Sequence, residues 1–334
     1  MQSMRRLGSY LMARPWLLVT AVVCIGAALR WYNLSEWDMW LDEVDTLWIA
    51  ETGVFTEGPM YSTAPVNFWL TAASVRVFGP TELGERFPSF LAGVLTLLVF
   101  FVTFRSTLGD RAAILGTLFL CLSMWHVFWS QVGRHFAPQV LFILLAILFL
   151  LKFREERRPY LPWAGAAAMA AALLTHSSAV FFLAAFVAVL AFGWICGHFG
   201  TTDRNTSDYR RAAIPFVILL IAYLPVMFIV GRYVMENKVA WNPPYGIIAS
   251  YLFYLSPVIL CFAFAGFLLL HRRAVEVAWL LAGLVAVPMA LLLYSTTRTL
   301  SSVPYILASL LPVSAFIGVA LDGLLDLGDG SRYK

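Results

Sequence analysis

Charge is scarce in this 334-residue chain: Asp, Glu, Lys and Arg make up 13% of it, against about a quarter in a typical soluble domain. No polar stretch is long enough to form a separate soluble domain, and none is expected. The GxGxxG and P-loop glycine patterns are missing, so nucleotide-driven transport has no support in this chain. There is no long basic run, which argues against a nucleic-acid partner, and no internal repeat or low-complexity tract. Cysteine is sparse. Cys24, Cys121, Cys196 and Cys261 each sit in an apolar run, without disulfide or zinc-ligand spacing. They read as small apolar helix residues.

What fills the chain is hydrocarbon. Apolar residues reach 61% and mean hydropathy is +0.80, the signature of an integral membrane protein. A span needs about 17–25 apolar residues. Candidates begin near Pro15, Phe87, Arg111, Phe136, Tyr160, Ser178, Ala212, Gly246, Ala274 and Ser302. The predicted fold is therefore all-α: a polytopic transmembrane helical bundle of about ten spans, one domain over residues 1–334. The first run, about Pro15 to Leu34, follows Arg5 and Arg6 but lacks a small-residue cleavage pattern, and is read as a retained span. Residues 160–196 are too long for one span and divide around Thr175-His176-Ser177-Ser178.

The segment 65–79 is apolar, short and interrupted by Arg76. If it lies in the interface, both termini share a side with the loops 105–111, 152–158, 197–211 and 271–273, and that side collects 16 of the 23 Lys and Arg. If it spans, Lys-Phe-Arg-Glu-Glu-Arg-Arg moves outside, against the positive-inside tendency. The first arrangement is preferred, with both termini cytoplasmic. Seven basic residues then remain external: Arg30, Arg76, Arg86, Arg134, Arg232, Lys238 and Arg298. Each could be an interfacial anchor; several converging on one place would mean more.

The first external loop, within 35–80, is expected to hold two interfacial helices. It carries Glu36, Asp38, Asp42, Glu43, Asp45 and Glu51 among Trp and Leu anchors. On a helix Trp40, Val44, Leu47 and Trp48 share one face, with Asp42 and Asp45 on the opposite one. Two readings stand: a solvated acidic loop with a tryptophan belt, or carboxylates presented to a reaction cavity. Trp125 and Trp129 read as belt residues, and His126, His135 and His176 as packing histidines, His135 being the exception to watch beside Arg134.

Trp40-Leu41-Asp42-Glu43 after a first span resembles the Asp-Glu motif of the GT-C glycosyltransferases, in the branch of the protein O-mannosyltransferases and the lipid A aminoarabinose transferase. The likeness continues in order. Ala64-Pro65-Val66-Asn67-Phe68 is similar to the Pro-Pro-Leu opening of a second interfacial helix. Phe78-Gly79-Pro80-Thr81-Glu82, then Arg86-Phe87-Pro88-Ser89 and the small run to Gly93, resembles the family's Gly and Arg-x-Pro-Ser segments. Ser130 to Phe136 resembles its Ser-x-x-x-Arg-x-Tyr loop. Beyond about residue 155 it rests on hydropathy, Thr175-His176 and Arg298 to Tyr305. Three departures stand out. Thr63-Ala64-Pro65 has no basic residue before the proline, the loop tyrosine is Phe136, and the family's large periplasmic domain is not expected in residues 1–334.

The resemblance implies a glycosyltransferase that moves a sugar from a polyprenyl-phosphate donor to an acceptor hydroxyl on the external face, with inversion. On that reading Asp42 is the catalytic base and Glu43 orients it or the acceptor. Arg134 and Arg298, with Arg86 third, hold the donor phosphate. Asp45, His135, His176 and Tyr305 are possible donor or acceptor contacts. No cofactor is expected, the lipid-linked sugar being a substrate. Asp38, Asp42 and Asp45 could converge on a divalent metal, but a metal-independent site is preferred. The expected location is the bacterial inner membrane, with membrane lipids as neighbours and the acceptor glycan, lipid or protein unnamed. Two other classes compete: a multispan transporter or lipid flippase, which should show charges or broken helices at the midplane, and a catalytically silent GT-C-like subunit of a larger assembly.

Overall fold

In the computed structural model the described residues are 14–54, 62–199, 206–236, 243–297 and 302–329. Fourteen α-helices follow one another, with no strand among the described residues. They are α1 (Pro15–Trp31), α2 (Leu41–Thr52), α3 (Val66–Phe78), α4 (Glu82–Leu108), α5 (Asp110–Leu122), α6 (Met124–Gln131), α7 (Phe136–Glu156) and α8 (Leu161–Thr175). After a 3-10 turn at Ser177–Ala179 come α9 (Val180–Phe199), α10 (Thr206–Glu236), α11 (Pro244–Tyr254), α12 (Pro257–Arg273) and α13 (Val275–Thr296). A second 3-10 segment, Val303–Ser309, leads into α14 (Leu310–Asp329). Helix is the expected outcome in hydrocarbon, where every backbone N–H and C=O must bond within its own segment.

Each expected span start falls on an apolar helix, but the helices differ in length. Six are long and apolar enough to cross alone, and up to eight crossings result if the bent pairs α5–α6 and α11–α12 each count as one. The other two, α1 and α8, are shorter apolar helices of 17 and 15 residues. The ten-span expectation thus counts two helices that are short for a bilayer about 30 Å thick.

Side-chain pairs join the helix ends at two levels. Arg105 lies 5.0 Å over the Trp16 ring, Arg111 pairs with Asp322 and Asp326, Arg154 with Glu276 and Arg157 with Asp208. At the other level Arg86 reaches the Leu34 carbonyl at 3.0 Å, and Gln139 the His176 carbonyl at 2.9 Å. The chain between α1 and α4 therefore leaves and returns at one end of the bundle, and α2 and α3 do not carry it across.

The α5–α6 break bends the pair by 57°. It frees carbonyls at the end of α5, and Arg30 caps two of them: Nη1 donates to Cys121 O (3.3 Å) and Nη2 to Leu120 O (3.5 Å). Its Nη2 also meets His126 Nδ1 at 2.8 Å. Arg30 and His126 are both buried, and neither is an interfacial anchor. Trp125 and Trp129, expected in an aromatic belt, are also buried, and Trp125 stacks on Tyr254 with ring centres 5.0 Å apart. The rings fill the space opened by the bend. The four cysteines are unpaired, and Cys121 is packed against α1, its Sγ 3.4 Å from Val22 O.

Candidate functional site

Helix α2 is amphipathic in an unexpected direction. Glu43, Thr46 and Ile49 form its buried face, while Trp40, Val44 and Trp48 are exposed. Asp42 lies at the rim of the buried face and is half-exposed. Asp45, three residues on, sits about 60° further round and faces outward.

Glu43 is the hub. Its Oε1 accepts from Arg86 Nε (2.8 Å) and from the Gly133 amide (2.8 Å). Its Oε2 accepts from Arg86 Nη2 (2.8 Å) and from the Trp40 amide at the helix start (3.3 Å). One buried carboxylate thus ties the start of α2 to α4 and to the loop after α6. Arg86 completes the clamp. Besides Glu43 it donates to the carbonyls of Leu34 (3.0 Å), Trp37 (2.9 Å) and Asp38 (3.1 Å). A guanidinium has five N–H donors, and all five are engaged. Arg86 therefore has no N–H left for a donor phosphate, which corrects the expectation that it would bind one. An arginine at a helix end looks the same in sequence whether it faces a ligand or the protein's own carbonyls.

The Arg86-Phe87-Pro88-Ser89 segment has a second anchor: Ser89 Oγ donates to the Arg134 carbonyl at 2.9 Å. Two glycines let these pieces approach. A Cβ on Gly93 would overlap Ser130 Oγ, and one on Gly133 would overlap the Glu85 carboxyl. Glu85 is buried, and among the described residues neither of its carboxyl oxygens has a hydrogen-bond partner. Sequence reasoning missed Glu85. Its only signal was its place one residue before Arg86.

Arg134 emerges from this scaffold toward Asp42. Its Nη1 donates to the Asp42 carbonyl (2.7 Å) and to Thr46 Oγ1 (3.1 Å), and Nη2 stands 3.4 Å from Asp42 Oδ2. Its Nε is unpartnered. The side chain of Asp42 is 52% exposed and that of Arg134 23%. The pair is open on one side, unlike Glu43–Arg86.

Behind Arg134 the loop brings two histidines together. The rings of His135 and His176 stack with centres 3.7 Å apart and planes within 5°. Tyr305, on the 3-10 segment before α14, lies 5.2 Å from His176 between ring centres. It is also within electrostatic reach of Arg134 and Asp42. His176 Nδ1 accepts from the Ser178 amide (3.2 Å), and Gln139 Nε2 holds the His176 carbonyl (2.9 Å). Burial, then the neighbouring guanidinium of Arg134, lowers the His176 imidazole to about 3. Burial, then His176 and Arg134, pushes His135 well below the ordinary histidine range. Two stacked neutral rings are the consistent state, since a charge on either would face Arg134. His135 Nε2 is buried and, among the described residues, unpartnered.

Asp42, Arg134, His135, His176 and Tyr305 are thus brought to one place. Glu43 and Arg86 stand behind them, and Asp45 stands apart on the outer face of α2. Arg298 lies outside the described residues. Among the described residues no three His, Cys, Asp or Glu side chains group as metal ligands. Asp38, Asp42 and Asp45 do not converge on one point.

Residues 62–201 match the family model described as dolichyl-phosphate-mannose-protein mannosyltransferase. An uncharacterized protein of Aquifex aeolicus is 27% identical over 185 residues, which is 52% of this chain and 36% of that protein. Among solved structures, ArnT from Cupriavidus metallidurans bound to undecaprenyl phosphate superposes with a TM-score of 0.67 at 16% identity, over 91% of this chain and 60% of that one. The Archaeoglobus fulgidus oligosaccharyltransferase AglB, solved with an inhibitory peptide and a dolichol-phosphate, gives a TM-score of 0.63 at 12% identity, over 95% of this chain and 52% of that one. This chain spans from about a third to three fifths of the length of these relatives. Its fold is that of the GT-C superfamily, and it is a multi-pass membrane protein.

Proposed function

We propose that this chain is a lipid-linked-sugar glycosyltransferase acting on the external face of a bacterial inner membrane, with both termini cytoplasmic. The acceptor oxygen attacks the anomeric carbon of a polyprenyl-phosphate sugar. The bond from that carbon to the phosphate oxygen breaks, polyprenyl phosphate leaves, and the acceptor proton passes to Asp42. A single displacement inverts the anomeric centre. The negative charge that grows on the departing phosphate is met by Arg134, whose Nη1 is engaged twice but whose Nη2 has, among the described residues, a single contact, 3.4 Å to Asp42 Oδ2. Arg298 remains a second candidate for that phosphate. Glu43 and Arg86 act as positioning residues, and the histidine pair and Tyr305 wall the pocket. The step is read as metal-independent, and a chelator such as EDTA should leave it unchanged.

The observation that carries the proposal is the half-open Asp42–Arg134 pair, a carboxylate beside a guanidinium, held by the closed Glu43–Arg86 clamp. The test is mass spectrometry of envelope glycans and lipid-linked sugars from cells with the gene, without it, and complemented by wild type or Asp42→Asn. A sugar that needs the gene and is lost in Asp42→Asn supports the proposal. An unchanged profile, or full rescue by Asp42→Asn, sinks it.

A second reading, the silent subunit, is favoured by one feature: Thr63-Ala64-Pro65 carries no basic residue and Arg86 is fully engaged, which leaves Arg134 as the guanidinium facing Asp42. Arg134 holds that place among the described residues. In that case the glycan would depend on the gene but not on the Asp42 carboxylate.

A further inference from the structure

A cavity of about 870 Å³ opens at the end of the bundle opposite Asp42. It lies between α7, α9, α10 and the turn that joins α12 to α13. Helix α7 has 21 residues, so about 31 Å separates the His135 end from this one. The cavity is therefore no part of the Asp42 site.

Its lining changes character with depth along the helices. The inner wall is hydrocarbon, from Leu150 of α7, Leu190 of α9 and Leu280 of α13. The mouth is ionic. Arg154, Arg157 and Arg273 face Asp208 and Glu276 across it, with Tyr209 between. Three guanidinium groups against two carboxylates leave one positive charge over. The pairing shows where it sits. Arg154 is bonded to Glu276 at 3.2 Å, and Arg157 is paired with Asp208. Among the described residues Arg273, the last residue of α12, has no hydrogen bond or ion pair, and it is exposed. Arg154 and Arg157 are also 44% and 55% exposed, so their remaining N–H edges face the mouth.

Such a space does not stay empty in a bilayer, and its size falls in the range of ligand pockets. Water suits the ionic mouth but not the leucine wall. A soluble anion suits the mouth and leaves the wall unfilled. An amphiphile fits both. We propose that this cavity seats an anionic glycerophospholipid from the leaflet opposite the Asp42 site. Its phosphate lies among Arg273, Arg154 and Arg157, and one acyl chain runs along Leu150, Leu190 and Leu280. Charge complementarity selects the occupant. A zwitterionic headgroup would bring its own cation to a mouth that already has one to spare, whereas an anionic headgroup supplies the missing negative charge. The proposal is independent of the transferase reading.

The test uses the full chain purified in detergent. Native mass spectrometry and thermal unfolding are followed on adding phosphatidylglycerol, phosphatidylcholine of the same acyl chains, or sn-glycerol 3-phosphate. Phosphatidylglycerol is expected to form a one-to-one adduct and raise the unfolding temperature, and the other two to do neither at the same concentration. Arg273→Gln should weaken the adduct about tenfold, the effect of losing one charge-assisted hydrogen bond. That side chain is exposed and unpaired, so the variant keeps its fold. Arg272→Gln removes the same charge one residue away, outside the cavity, and should bind like wild type. Leu280→Trp, which fills the inner wall, should lower the affinity for phosphatidylglycerol. Equal binding of phosphatidylcholine, or equal losses from Arg272→Gln and Arg273→Gln, would overturn the proposal in favour of general surface adhesion. Equal stabilisation by glycerol 3-phosphate would overturn it in favour of a free-phosphate site.

Discussion

The two ends of this bundle use arginine in opposite ways. At the Asp42 end Arg30 and Arg86 are buried, and their donors go mostly to backbone carbonyls left without helical partners. At the other end Arg105, Arg154 and Arg158 are paired with carboxylates in the open, with side chains 34%, 44% and 61% exposed. Burial makes most of a guanidinium's donors find fixed acceptors, all five in Arg86 and all but Nε in Arg30 among the described residues, so it becomes a geometric constraint. One that is exposed shares its field with water and constrains little. Basic residues at one end are thus exposed partners of carboxylates, while those at the other set the shape. Arg134 falls between the two kinds, enclosed enough to be aimed and open enough to receive something.

That contrast can be broken deliberately. The largest expected effect is from Arg86→Met, which strips the buried Glu43 carboxylate of its two guanidinium donors, leaving only the Trp40 and Gly133 amides, and takes the side-chain donor from three carbonyls. Removing one partner of a buried pair costs about 3–5 kcal/mol. Unfolding in detergent should show a lower midpoint, and protease should cut the 35–64 loop. A midpoint equal to wild type would mean the clamp is not structural.

Next comes Asp42→Asn. Loss of general-base help is worth about 10²–10⁴-fold in rate, while an exposed carboxylate adds little to stability. Transfer should vanish with the unfolding midpoint unchanged, separating chemistry from the clamp beside it. Asp45→Asn should be mild by the same assay, because Asp45 faces outward. If both changes prove equally severe, the two carboxylates share a metal or a substrate.

An intermediate effect is expected from acid. His176 is lowered to about 3 from about 6.5 in the unfolded chain. Below 6.5 the unfolded state binds the extra proton and the folded state does not. Stability is then complete above 6.5 and declines as pH falls from 6.5 toward 3. Unfolding temperatures measured from pH 7 to pH 4 should fall, and His176→Gln should flatten the decline. An identical slope in the variant would place the acid sensitivity elsewhere.

The smallest effect belongs to the opposite end. A double-mutant cycle on Arg154 and Glu276, about a third to a half exposed, should give a coupling under about 1 kcal/mol. A larger value would show that this end is as tightly held as the clamp.

Much of the architecture was legible because hydrocarbon imposes a simple rule. A span must be apolar and helical, and the starts near Pro15, Phe136 and Ala274 lie within a residue of helix boundaries. Charge placement alone gave the expectation that 65–79 lies in the interface. Two things were not legible. The bend at Ser123 has no proline or glycine to announce it, so neither Arg30 nor Trp125 could be seen as filling it. The roles of Arg86 and Glu43 depend on counting acceptors contributed by Leu34, Trp37, Asp38 and Gly133, which are close only after folding. Asp42, Arg134, His135, His176 and Tyr305 were all named beforehand, since ordered motifs mark position. Their stacking and the unpartnered Glu85 required coordinates.

Helix α8 has one more consequence. Its 15 residues span about 22 Å, some 8 Å less than the hydrocarbon of an ordinary bilayer. Trp163 and Leu174, near its two ends, are exposed on its outer surface. Hydrophobic mismatch of this size draws the surrounding lipid inward. His176 caps the end of this helix, so if α8 crosses the bilayer, local thinning would lower the membrane surface where the histidine pair stands. A lipid phosphate entering that hollow would approach Arg134 along the slope of its own leaflet, with its tail still in oil. Bilayer thickness then becomes a variable of the site: thicker membranes deepen the hollow, thinner ones flatten it.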